Sequence, residues 1–89
     1  MRIQSISTND FDSVIQDKIN SLQMEKQEAL EVEDFDQCKY IKQIIDKLKI
    51  VGNQLVSLEH QKREAIENED YEKAKQLKFQ IERVKEISY

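Results

Sequence analysis

The stretch "EVEDFDQCKYIKQII", Glu31 to Ile45, returns 36 residues later as "ENEDYEKAKQLKFQI", Glu67 to Ile81. Each copy opens on an acidic pair, Glu33-Asp34 or Glu69-Asp70, followed by an aromatic, Phe35 or Tyr71. An acid just ahead of an apolar-periodic run marks a helix start. The unpaired backbone N–H groups of a first turn need an acceptor, and Asp34 and Asp70 supply it as caps. Gln37, three residues after Asp34, is placed to complete half of a capping box. Behind each cap, apolar residues recur every three or four positions. They are Phe35, Cys38, Ile41, Ile45 and Leu48 in the first copy, and Tyr71, Ala74, Leu77, Ile81 and Val84 in the second. That spacing predicts one buried seam per helix.

An earlier stripe precedes the first turn: Phe11, Ile15, Ile19, Leu22, Ala29 and Leu30. "TNDFDS" offers its start, with Asn9 or Asp10 as the expected cap and Asp10 and Asp12 near the positive end of the helix dipole. Beyond Leu48 the seam continues through Val51, Leu55, Leu58, Ala65 and Ile66 to the second turn. Gly52 costs only about 1 kcal/mol relative to Ala inside a helix. With no Pro or polar loop beside it, a kinked or continuous middle helix is expected rather than a chain reversal. Its length would be about 32 residues, or roughly 48 Å. Short turns make neighbouring helices antiparallel. The expected fold is all-α: three helices with a long middle one, forming antiparallel hairpins or a coiled coil. The expected organisation is a flexible segment over 1–9, a first hairpin over 10–48 and a second over 49–89.

Composition agrees with long solvated helices. Charged residues make up 36% of the 89, Pro is absent and Gly occurs once. The net charge of −4, with acids and bases interleaved along the chain, argues against phosphate-backbone binding, so no nucleic-acid partner is expected. No apolar run reaches the roughly 20 residues that span a membrane. "MRIQSISTND" lacks the apolar core of a secretion signal. A single cysteine, Cys38, forms no internal disulfide. An intracellular, membrane-free protein is the expectation.

The paired acids could resemble acid–base machinery, but they lie at predicted helix starts with nothing to enclose a substrate, so capping is the preferred reading. "DFDS" and "DFDQ" share two acids with a calcium loop and lack its Gly and distant Glu. His60 has no second ligand at zinc spacing, and Cys38 has no His near it in sequence. No catalytic residue, cofactor or metal is therefore expected. Lys39, Lys42, Lys75 and Lys78 place cations on both second-helix faces. They are either solvated charge or a patch for an acidic partner. Tyr40 and Phe79 fall off the main stripe, as exposed aromatics for a partner or as cover for the neighbouring helix.

Between Leu22–Ile45 and Leu58–Ile81, 10 of 24 positions are identical. The shared pattern K-x-E-A-[LI]-E-x-E-D-[FY]-[DE]-x-[CA]-K resembles the UVR motif, the helical hairpin of the excision-repair proteins UvrB and UvrC. The resemblance implies that Ala29 and Ala65 are the small residues that admit the second helix. It implies that Phe35 and Tyr71 close the hairpin end, and that Cys38 and Ala74 are the next small positions. With Ile41 and Leu77 these form the expected hairpin packing. Two such hairpins joined by "IIDKLKIVGNQLVSLEHQKREAIENEDYEKAK" also resemble the coiled-coil segment of a ciliary-tip family, that of the centrosomal protein of 104 kDa.

That second resemblance implies a scaffold of the ciliary tip, axoneme or centriole. Its partners would be other helical proteins, with tubulin or microtubules a further candidate, and self-association is open. A docking module of a DNA-repair or protease-regulatory system is the alternative.

Overall fold

A computed structural model of the protein describes residues 12–88. Three helices follow in order: α1 Ser13–Glu31, α2 Phe35–Glu67 and α3 Tyr71–Ser88. Among the described residues there is no strand, and no helix is long and apolar enough to cross a membrane. The fold is the expected all-α pair of hairpins sharing a long central helix. The cap expected at Asn9 or Asp10 lies, with Phe11 and the segment 1–9, outside the described residues. The cap of α1 is instead Asp12, whose Oδ1 accepts from the Val14 N–H at 2.9 Å.

α2 runs 33 residues without interruption through Gly52, which is buried. Gly52 stands on the seam between Leu48 and Leu55, where any side chain would have to fit into packed core. Burial within the helix, rather than a turn, is what favours a residue without a side chain here.

The two turns are built alike, atom for atom. In the first, the Glu33 N–H donates to the Leu30 carbonyl at 3.0 Å and the Asp34 N–H to the Ala29 carbonyl at 2.9 Å. In the second, Glu69 donates to Ile66 at 3.0 Å and Asp70 to Ala65 at 2.8 Å. This is the Schellman closure, in which two orphan carbonyls of an ending helix are satisfied by the residues that follow. It places Glu33 and Glu69 in the left-handed region, at φ 58° and 60°. Asp34 and Asp70 then cap the next helix, accepting from the Gln37 and Lys73 N–H groups at 3.2 Å each. One short segment both ends a helix and begins the next, so the turn reverses the chain.

The main core joins all three helices: Ile15 and Ile19 of α1, Ile41, Ile45 and Leu55 of α2, and Ile81 of α3. Burying such a side chain is worth about 1.5–3 kcal/mol. A smaller cluster of Ala65, Ala74 and Leu77 lies under the second turn, and Leu58 packs against both. α1 and α3 each pack on α2 and barely touch one another. They meet beside the middle of α2, where Asp12 Oδ2 stands 3.9 Å from Lys85 Nζ. The result is a rod of 55 × 30 × 16 Å.

Two expectations are corrected. Phe35 and Tyr71 do not close the hairpins: they are 60% and 63% exposed. Each is the first residue of its helix, six positions ahead of Ile41 or Leu77. At about 100° per residue it points some 120° away from the buried face. Counting in threes along the seam hid that rotation. Nor are the charges evenly interleaved in space, because both turns concentrate acids.

Candidate functional site

The structure exposes apolar side chains where the two turns project from the ends of α2. At the first tip, Leu30 (48% exposed), Val32 and Phe35 surround the reversal. At the second, Ile66 (47% exposed) and Tyr71 occupy the positions of Leu30 and Phe35. Asn68 replaces Val32. The acids come from the same segments. Residues 28–36, "EALEVEDFD", carry Glu28, Glu31, Glu33, Asp34 and Asp36, and residues 64–72, "EAIENEDYE", carry Glu64, Glu67, Glu69, Asp70 and Glu72. Neither segment holds a Lys, Arg or His. Among the described residues, only Glu64 of these ten acids lies within ion-pair distance of a basic side chain, His60 Nε2 at 3.7 Å. The clusters were visible as two windows of nine residues with five acids and no base. Leu30, Val32 and Ile66 were hidden, because their helical spacing placed them with or beside the core stripes.

The packing residues divide. Ala29, Ile41, Ala65, Ala74 and Leu77 are buried, whereas Cys38 is half-buried with its Sγ 3.7 Å from the Lys26 carbonyl, to which the thiol donates. Tyr40 and Phe79 lie on the surface, on different helices, and the structure does not bring them to a common site. Lys39, Lys42, Lys75 and Lys78 are exposed. Lys42 is engaged within its own helix, with Nζ 2.8 Å from Asp46 Oδ2. That hydrogen bond holds the Asp46 carboxyl below its ordinary pKa.

Two grooves are related by the repeat. One of about 480 Å³ lies between α1 and α2, lined by Lys18, Ser21, Leu22, Ile44 and Leu48. The other, also about 480 Å³, lies between α2 and α3 and is lined by the equivalents Gln54, Ser57, Leu58, Gln80 and Val84. A third cleft of about 430 Å³ opens at mid-rod beside His60, Arg63 and Lys85. Among the described residues, no group of three or more His, Cys, Asp or Glu side chains is placed to hold a metal ion.

With this geometry in view, the comparisons place the second hairpin. Residues 52–87 match the UVR family, the UvrB/uvrC motif. The second hairpin carries a UVR motif. The match covers the latter part of α2, the second tip and α3 almost to its end. The first hairpin repeats the UVR turn in its hydrogen bonds and left-handed glutamate. No curated protein and no solved structure matches the chain.

Proposed function

We propose that the chain is a non-catalytic protein-docking module in which a UVR hairpin and its repeat serve as two recognition units on one rod. The observation that carries this reading is the matched exposure of Leu30 with Phe35 and of Ile66 with Tyr71. Exposed apolar side chains kept at equivalent positions in both copies are the ordinary mark of an interaction surface. The UvrB/uvrC description of the matched motif supports docking in general. The finer setting rests on the tandem arrangement and the long joint through Gly52. It is a scaffold at the ciliary tip or centriole, bound to helical proteins there and to microtubules directly or through those partners. A docking role in DNA repair or protease regulation is the second reading, favoured by the UvrB/uvrC motif itself.

The test has two arms. The purified chain is titrated with tubulin and with helical ciliary-tip proteins, and a fluorescent version is followed in ciliated cells. Direct binding and tip accumulation, both retained in Cys38→Ala and His60→Ala, are the expected result. Direct binding to a UVR-bearing repair or protease-adaptor protein, with no accumulation at the tip, selects the second reading. Loss of a measured turnover in either alanine variant would contradict the non-catalytic assignment.

A further inference from the structure

We infer that the first hairpin carries a cationic docking stripe, formed by Lys26, Lys39, Lys42 and Lys49, for an acidic segment of a partner protein. The stripe lies along α2 behind the first tip, so it adds to the docking reading without using the tips. On α2, Lys39, Lys42, Asp46 and Lys49 follow one another at intervals of three, four and three residues, which places them on one helix face. The repeat returns the pattern on α3 as Lys75, Lys78, Glu82 and Lys85. All four positions keep the sign of their charge, whereas the exposed neighbours Gln43 and Ile50 become Phe79 and Glu86. A face that serves only solubility needs charge, but not charge at fixed places.

The two copies differ in what answers the lysines. In the first, Cys38 Sγ stands 3.7 Å from the Lys26 carbonyl, which brings α1 at Lys26 beside the start of the stripe. Lys42 Nζ lies 2.8 Å from Asp46 Oδ2, and Lys49 and Lys26 act on the same carboxylate. One aspartate thus stands among four lysines. Of the four, among the described residues, only Lys42 lies within ion-pair distance of an acid. In the second copy Lys62, the counterpart of Lys26, pairs with Glu59 at 3.2 Å, and Lys85 pairs with Asp12 at 3.9 Å. Gln23 stands where the second copy has Glu59. The first stripe therefore keeps a surplus of positive charge that the second has largely answered from within.

That surplus calls for an anion, and its setting selects carboxylates on a polypeptide. Lys39 to Lys49 spans about 15 Å at the usual helical rise. Beyond Lys39 lies the first tip with its acids, so a nucleic-acid backbone longer than the stripe runs into like charge. A short Glu-rich segment fits. Carboxylates three or four residues apart on a helix match lysines at the same spacing. Exposed Ile50, one turn beyond Asp46, offers an apolar contact beside them. Exposed ion pairs are individually weak, so binding needs several at once and falls with salt.

The experiment titrates the full chain with a labelled Glu/Leu amphipathic helix of about 15 Å, the span of the stripe. A Gln/Leu helix of the same pattern and a single strand of DNA of like length are the controls. The Glu/Leu helix should bind once per chain, shift the backbone amides of Lys26, Lys39, Lys42 and Lys49, and weaken severalfold as salt rises to roughly 0.15 M. Lys39→Gln with Lys49→Gln should weaken it by about fivefold or more, and the counterpart pair Lys75→Gln with Lys85→Gln by less than about twofold. Gln is nearly as good a helix former as Lys, and circular dichroism should show all variants as helical as the parent.

Absence of binding, equal binding of the Gln/Leu control, equal weakening by both variant pairs, or tighter binding of the DNA strand overturns the inference. Phe35→Ser should leave the affinity for the probe unchanged, and a loss there would move the site to the tip and overturn it as well. Because the probe reads the stripe alone, its failure leaves the docking reading at the tips as it stands.

Discussion

Glu33 and Glu69 hold a backbone conformation that glycine adopts freely and other residues adopt at a cost of roughly 1–2 kcal/mol. A glycine would relieve that cost and lose part of the gain to a freer unfolded chain. Glu33→Gly or Glu69→Gly should therefore raise stability by about 0.5–1 kcal/mol in denaturant unfolding. No gain at either site would show that the turn accepts glutamate without strain. The same measurement separates core from surface. Ile41→Ala should cost about 2–5 kcal/mol, and Phe35→Ala less than about 1. Equal losses would mean that the ring is buried after all.

Asp46 adds a pH test. The Lys42 hydrogen bond lowers its folded pKa, so the pair stabilises the fold at pH above the unfolded value and loses that contribution as pH falls through the folded one. In Lys42→Met the Asp46 midpoint, followed by NMR, should move up. An unmoved midpoint would assign the shift elsewhere.

At the scale of the helix, Gly52 is the position most sensitive to added volume. Alanine there would gain about 1 kcal/mol in helix propensity, but the site is enclosed. Gly52→Leu should destabilise by about 1–3 kcal/mol through overpacking. A neutral result would mean that the packing around Gly52 leaves room for a side chain. The helices and their second and third caps were legible in the sequence because Asp34 and Asp70 stand directly before apolar runs of helical period. The directions of Phe35 and Tyr71 were not. An aromatic at a helix's first position matches the seam in spacing yet has rotated off its face, and only the helix axis reveals this. The start of α1 was misplaced because "NDFD" offers Asn9, Asp10 and Asp12, each a residue type that can cap.

Across the whole molecule, repetition sets the architecture and charge sets its use. One turn built twice on a shared helix gives a rod with two like ends, each acidic and each carrying exposed apolar side chains. The doubling was plain in the sequence. The segregation of charge was legible as well, in two nine-residue windows with five acids and no base, which the fold sets at the two ends of α2. Grooves along the flanks, such as that at Leu22, Ile44 and Leu48, are the competing surface.

The most direct test of the account is a backbone NMR titration of the chain with a protein that binds it. The account predicts amide shifts confined to residues 30–36 and 66–72, saturating at two equivalents. Shifts centred on Leu22, Ile44 and Leu48 with the tips silent would contradict it.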